Sequence, residues 1–338
     1  MTTPNDEYFR TELLARRRQL AQLPPAAVQP ELAALLADVD AALDRLGRGT
    51  YHVCTVCHEA IQPDRLAADP VARCCWEHST PAEASRLDRD LALARRIQVG
   101  LLPPPSRSIR GWQFSYRYEA AGEVGGDFCD VIPLPSDNST LVLVGDVSGQ
   151  GIAASILMAG LLATFRSLSR LGLPAGDLLS RANDLFYEST PPDAFATLAA
   201  AVLRPGRVAD VYSAGHWPPL LLHAGRQTAP VAVTAGLPLG AFAGSRYEPV
   251  RLTLDPGTTL LFFTDGIVEA EDRTGRDYGA NRLARVLADA RDDRLDALVA
   301  RCVGDLRRFQ DAGRGNDDVL LFAIRAGGAG VASASTAA

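Results

Sequence analysis

Four stretches of the chain set an aspartate at the end of an apolar run or beside glycine: GGDFCD (Asp127, Asp130), LVLVGDVSGQG (Asp146), LLFFTDGIVEA (Asp265) and GNDDVLLF (Asp317, Asp318). At a strand end the carboxylate can leave the sheet, and the neighbouring glycine lets backbone approach a ligand. Any one of these reads equally well as a turn aspartate. As a set they constrain more. Several carboxylates gathered at one sheet end repel and raise each other's pKa unless cations neutralise them, and hard oxygen donors select Mg2+ or Mn2+ over zinc. A centre holding two such ions answers that repulsion. The spots lie about 20, 120 and 50 residues apart, so spacing alone does not bring them together.

From Pro105 onward the texture is strand-like: WQFSYRYEA, DFCDVIPL, TLVLVGDV, FATLAAAVL, RVADVYSAG, PPLLLHA, TTLLFFTDG and DVLLFAIRA, parted by Gly, Pro and Asp. Helices are predicted at about 151–171, 175–189, 280–290 and 294–310. Strands joined mainly by hairpins, with helices arriving in pairs, predict α+β layers in place of a doubly wound parallel sheet. Upstream, two Leu/Ala/Arg-rich helices at about Asp6–Leu23 and Glu31–Leu46 flank LPPAAVQP, which cannot continue a helix. A further helix over about 83–102 opens on a capping-box pattern, Thr80 with Glu83, and stops at three prolines. Leu87, Leu91, Ala94 and Leu101, with Gln98 between, mark a short seam through which two copies can pair as a homodimer. The resulting division is 1–80 helical hairpin and cysteine-rich module, 81–105 linker helix, 106–326 main domain, and a disordered tail over 327–338.

At 47% hydrophobic residues the chain has apolar area for a large core, and a net charge of −6 offers no general attraction to nucleic acid or anionic lipid. The opening MTTPNDEYFRTELLARRR lacks the apolar core of a signal peptide, which predicts a cytoplasmic protein without disulfides. The longest apolar stretch, 151–165, is interrupted by Ser155 and Thr164 and reads as a buried helix, since a membrane span needs about 20 residues.

Eight motifs then occur in order: RRIQVGLLPP, EVGGDFCD, GDVSGQG, FATLAAAVL, SAGHWPPLLL, LPLG, FFTDGIVEA and NDDVLLF. Through them the chain, from about Arg89 to Arg325, resembles the SpoIIE/RsbU branch of the metal-dependent type 2C (PPM-type) serine/threonine phosphatases. The resemblance implies an α/β/β/α sandwich of two antiparallel sheets with two Mn2+ or Mg2+ ions at one end. It makes Asp127, Asp146, Asp265 and Asp317 the catalytic metal ligands, with the Val147 carbonyl bridging beside Asp146. It gives Gly266 the turn after the Asp265 strand, and leaves Asp130, Asp318 and Glu123 in outer-shell or solvent-facing roles. The implied reaction is hydrolysis of phosphoserine or phosphothreonine by a water shared between the two metals, without a protein nucleophile. The implied substrate is a phosphorylated anti-anti-sigma (STAS-type) protein in sigma-factor signal transduction. Many eukaryotic relatives carry a histidine shortly after the bridging aspartate; here Ser148, Gly149 and Gln150 follow, and the general acid is unassigned. His216 in SAGHW is the tempting substitute, although a glycine-flanked turn histidine is more often structural. Cys129 and Cys302 read as packing residues.

The remaining four cysteines lie in YHVCTVCHEAIQPDRLAADPVARCCWEH. Cys54-x-x-Cys57 and Cys75-x-x-His78 have the spacing of a tetrahedral structural zinc site, and Cys74 and His58 are spare donors. With the preceding DVDAALDRLGRGTYHVC, residues 30–78 resemble the TraR/DksA zinc-finger family, with His78 in place of a cysteine and a hairpin tip lacking that family's acids. A regulator acting on RNA polymerase through this finger is the alternative function. Eight arginines against eleven acids in residues 1–80 argue against DNA binding.

Overall fold

The computed structural model describes residues 4–21, 30–78, 81–135, 137–223, 228–310 and 317–327. The chain divides into two compact units, Met1–Asp90 and Leu91–Ala338. The hairpin tip at 22–29, Thr80 of the capping-box pattern and the tail from 328 fall outside the described residues.

In the first unit, helices α1 (Pro4–Ala21) and α2 (Pro30–Gly47) flank the prolines that interrupt the helical pattern. Phe9 and Leu13 from α1 and Val39, Ala42 and Leu46 from α2 form one core with Tyr51, Cys54, Ile61, Leu66, Cys74 and Cys75. The cysteine segment thus borrows the hairpin's apolar face. Arg45 of α2 reaches the carbonyls of Val71 and Ala72, 3.0 and 2.8 Å away, and the Tyr51 hydroxyl donates to Pro70 O at 2.7 Å. A short helix, α3 (Pro63–Ala68), starts on its own proline.

Helix α4 (Pro81–Leu101) precedes twelve strands of the second unit. One sheet runs β1 (Ser106–Ile109), β2 (Trp112–Glu119), β12 (Val319–Ala326), β11 (Thr259–Phe263), β7 (Leu220–Leu222), β8 (Thr228–Pro230). The other runs β10 (Val250–Thr253), β6 (Val208–Ala214), β5 (Ala196–Arg204), β4 (Thr140–Val147), β3 (Phe128–Pro133). All these pairs are antiparallel, and the short β9 (Ala235–Gly236) adds to β6 in parallel. Helices α5 (Gly151–Leu168) and α6 (Ala175–Ser189) cover the β3–β6 sheet; α8 (Ala280–Asp289) and α9 (Leu295–Phe309) cover the other, and α7 (Asp265–Val268) is a single turn after β11.

Burial on both faces explains why TLVLVGDV and TLLFF read as continuous apolar runs. Leu141 and Leu143 of β4 pack toward α5 and α6, whereas Val142 and Val144 enter the layer between the sheets with Phe262, Leu320 and Phe322. A one-residue slip would exchange these sets. Helix α5 is apolar and, with its 3-10 extension to Leu171, long enough to cross a membrane by composition, yet Ala154, Met158, Leu161, Leu162 and Phe165 are spent on the sheet.

The α4 seam also has a local use. Leu91 and Ala94 are half-buried, Gln98 is buried, and Leu101 packs on the α5–α6 core, so this stripe faces its own unit. Among the described residues of α4, Leu93 and Ile97, one helical turn apart, and Val99 are exposed apolar side chains.

Candidate metal centre

Asp127 enters β3, Asp146 is the penultimate residue of β4, Asp265 opens α7 at the end of β11, and Asp317 stands two residues before β12. Antiparallel pairing puts the C-terminal ends of β4 and β11 beside the N-terminal ends of β3 and β12, so all four carboxylates gather at one end of the sandwich. Period-two alternation sets Asp146 on the same face as Val144, toward the space between the sheets. Asp127 is 1% exposed and tied across that space: Thr264 Oγ1 donates to its Oδ2 at 2.8 Å, while the Leu320 N–H donates to Thr264 Oγ1 at 3.1 Å. The carboxylate oxygens of Asp265 and Asp317 each accept the next residue's N–H, at 2.9 and 2.8 Å.

The electrostatics are one-signed. Burial, then Asp146, Asp318 and Asp265, push the Asp127 carboxyl well above its ordinary range. Burial, then Asp265, Asp317 and Asp318, raise Asp146 to about 8. Asp317 is raised by burial and by the same neighbours, and Glu269 by burial and then Asp265, Asp277 and Asp317. Among the described residues, the charged side chains that act on Asp127, Asp146 and Asp317 are acidic. The all-oxygen donor set and its unrelieved repulsion fit hard divalent cations.

Backbone and glycines complete the cradle. A Cβ on Gly126 would lie 2.6 Å from the Val147 carbonyl oxygen and 3.1 Å from Asp146 Oδ1, so only glycine leaves that carbonyl open beside Asp146. Gly266 plays a different part from the expected turn: it lies inside α7, and a Cβ there would meet the Asp318 carbonyl oxygen at 1.9 Å. Its requirement is close approach, not conformational freedom.

The outer carboxylates have separate tasks. Asp318 accepts three backbone N–H groups, from Ala121 at 2.8 Å, Gly126 at 2.7 Å and Asp127 at 3.3 Å, and so holds the loop that carries Asp127. Asp130 is buried on β3 and bound by Arg166 Nε of α5 at 2.7 Å; Arg166 also reaches the Leu101 carbonyl at the end of α4. Glu123 is exposed, 3.8 Å from Arg95. Ser148 Oγ accepts the Phe195 N–H at 3.0 Å and is occupied structurally. Both ring nitrogens of His216 are engaged inside the sandwich, which removes it as a proton donor to a surface substrate. Two contributors escaped the sequence reading. Thr264 was signalled only by its place before Asp265. Gln98 donates Nε2–H to Gly125 O at 2.7 Å and accepts the Gly125 N–H at 3.2 Å, grasping the same loop from α4. A polar residue in an apolar seam was its one signal.

In the first unit, donor atoms of Cys54, Cys57, Cys75 and His78 all lie within 4.8 Å of one another. Cys57 Sγ and Cys75 Sγ are 3.9 Å apart, close to the edge of about 3.8 Å for a tetrahedron with Zn–S of about 2.3 Å. Cys75 Sγ is 3.2 Å from His78 Nδ1. Burial opposes ionisation of Cys54, but N–H groups of Cys57, Cys75 and Val56 outweigh it and bring the thiol down to about 6. Cys74 turns to Thr55 Oγ1 at 3.3 Å and His58 lies outside the group, so neither spare donor joins it. Cys129 and Cys302 are buried in the second unit's cores.

Residues 136–327 match the family model described as stage II sporulation protein E (SpoIIE). The chain is 26% identical over 276 residues to Protein IcfG of Synechocystis, covering 70% of this chain and 41% of that one. It is 24% identical over 206 residues to the phosphoserine phosphatase RsbU of Bacillus subtilis, covering 61% and 60%. It thus spans less than two thirds of the length of these curated relatives. Among solved structures, the RsbU and RsbW domains of Rv1364c from Mycobacterium tuberculosis superpose with a TM-score of 0.56 at 28% identity, covering 66% of this chain and 62% of that chain. The SiaA-PP2C domain of Pseudomonas aeruginosa superposes at 0.60 with 20% identity, covering 73% and 99%, a likeness of fold.

Proposed function

The chain belongs to the SpoIIE family, and from that premise we propose that it is a metal-dependent protein phosphatase acting on phosphoserine or phosphothreonine. The observation that carries the reading is the gathering of Asp127, Asp146, Asp265 and Asp317 at one sandwich end, with the first, second and fourth raised by burial and by one another's charge. These four, with the Val147 carbonyl, would hold two Mn2+ or Mg2+ ions, which when bound acidify water and neutralise phosphoryl oxygens. The chain's own contributions are positional. Thr264, itself held by the Leu320 amide, fixes the Asp127 carboxylate; Asp318 and Gln98 both hold its loop; Gly126 keeps the Val147 carbonyl accessible. No cysteine or serine nucleophile is required. Hydrolysis of p-nitrophenyl phosphate with and without Mn2+ tests this reading, and absence of any metal-dependent turnover would end it.

The substrate in this reading is a phosphorylated STAS-type anti-anti-sigma protein in the cytoplasm, supported by the similarity to RsbU. Comparing dephosphorylation rates across the host's phosphorylated STAS proteins identifies it. Cys54, Cys57, Cys75 and His78 hold one structural zinc ion in a TraR/DksA-like module over residues 1–80, followed by a linker at 81–105 and the phosphatase domain at 106–326. Two copies pair through helix 83–102, where Leu93, Ile97 and Val99 are exposed apolar side chains available for contact.

A further inference from the structure

His216 has no part in the reading above, yet its ring joins the two sheets. It is 8% exposed. Nε2 lies 3.1 Å from the carbonyl oxygen of Phe263 on β11, and Nδ1 lies 2.7 Å from Thr197 Oγ1 on β5. A carbonyl can only accept, so Nε2 carries the hydrogen, and Nδ1 of the neutral ring accepts the Thr197 hydroxyl hydrogen. Burial first of all lowers the imidazole to about 4, in keeping with a ring that stays neutral at physiological pH. The His216 carbonyl in turn accepts from the Ser213 hydroxyl at 3.1 Å, which anchors the residue to β6.

What the two ring partners stand beside gives this contact its meaning. Thr197 is the direct partner of Asp146 across the β4–β5 ladder. Phe263 immediately precedes Thr264, whose hydroxyl fixes Asp127, and stands two residues before Asp265. The imidazole therefore spans from the strand position opposite one proposed ligand to the strand end bearing another. Its two nitrogens are two bonds apart in a rigid aromatic ring, so the distance between its two partners is a fixed spacing.

We propose that His216 is a positioning residue, a neutral strut between the sheets that sets the separation of Asp146 from Asp127 and Asp265 and so tunes the cradle for its divalent cations. It touches neither substrate nor metal. The inference rests on the metal-centre reading, and asks why SAGHW carries a histidine where a buried apolar residue would fill the same volume.

The test uses the full chain and two readouts: Mn2+ affinity by isothermal titration, which needs no turnover, and kcat with p-nitrophenyl phosphate at saturating Mn2+. His216→Phe keeps the bulk and removes both hydrogen bonds; it is expected to weaken Mn2+ binding by about tenfold or more, the range found when groups that orient metal ligands are lost. His216→Gln, whose amide offers a donor and an acceptor about as far apart as the ring nitrogens, is expected to restore most of the affinity. A folded His216→Phe with Mn2+ affinity within about twofold of wild type overturns the proposal and leaves His216 as core packing. Should His216→Phe fail to fold, Thr197→Val decides, because it removes only the hydroxyl: weakened Mn2+ binding supports the strut, and unchanged binding overturns it. A wild-type chain that binds Mn2+ but hydrolyses nothing would sink the phosphatase reading while the titrations still decide His216; one that binds no Mn2+ overturns both.

Discussion

Replacing Asp146 with asparagine should stabilise the metal-free protein while abolishing its activity. The Asp146 carboxyl is raised from 3.8 to about 8, by burial first and then by Asp265, Asp317 and Asp318. A carboxyl raised in the folded state carries no folding cost below its ordinary value. Stability is lost as pH rises from about 4, and the loss is complete above about 8. At about 1.4 kcal/mol per pH unit, the cost at pH 7 approaches about 4 kcal/mol for an isolated group. Because its acidic neighbours are raised by the same field and protonate in its place, a gain of about 2 kcal/mol is the working expectation for Asp146→Asn. For a unit of this size that corresponds to a Tm increase of roughly 4–8 °C. Calorimetry of protein freed of Mn2+ and Mg2+, from pH 4.5 to 8.5, should therefore show wild type falling with pH and the variant falling less, the curves meeting near the acid end. Added Mn2+ should reverse the order, and turnover of the variant should be lower by about a hundredfold or more, since a charged ligand is gone. A variant less stable than wild type by the same margin at every pH would refute the electrostatic argument, because lost packing, unlike lost repulsion, has no reason to follow pH.

The same reasoning gives three further expectations. Protein purified without added metal should contain one zinc per chain, and Cys57→Ser should abolish it and loosen the first unit without lowering Mn2+-dependent turnover in the second; elemental analysis and separate thermal transitions read this out. Gln98→Ala removes both bonds to Gly125 and should raise the Mn2+ concentration needed for half-maximal turnover several-fold, at a stability cost of about 1–3 kcal/mol. Arg166→Ala leaves Asp130 buried without its partner and should destabilise the second unit by about 3 kcal/mol in denaturant titration, with Mn2+ affinity unchanged if Asp130 is no ligand.

The long apolar strands and paired helices were readable because each sheet is covered on both faces, so β4, β5, β11 and β12 carry no competing polar pattern. The segments that went unread are edges and fillers: β1 (SRSI), β8 (TAP), β9 and β10 (VRLT) have four residues or fewer, each exposed or half-buried. Such strands exist because a sheet edge is available to pair with, a tertiary cause absent from local sequence. The α4 seam shows the converse failure. Its heptad-like spacing is real, but spacing does not say which apolar surface a stripe will meet, and here Leu101 and Gln98 meet their own unit.

At the centre itself, residue type and strand-end position marked the acids but could not divide their labour, because neighbours with the same chemistry differ only in what surrounds them. Asp317 and Asp318 are adjacent in sequence and point to opposite duties. Asp318 accepts three backbone N–H groups, and what it secures is the path of the Ala121–Asp127 loop. Asp317 receives one such bond and remains raised by its neighbours, the state of a carboxylate still short of positive charge. The same contrast separates Asp130, paired with Arg166, from Asp127, which accepts the Thr264 hydroxyl and is raised by burial and by Asp146, Asp318 and Asp265. In the proposed reading, Asp127, Asp146 and Asp317, each raised by burial and acidic neighbours, join Asp265 in holding the cations, while Asp130 and Asp318, each bonded to donors of the protein, shape the cradle around them.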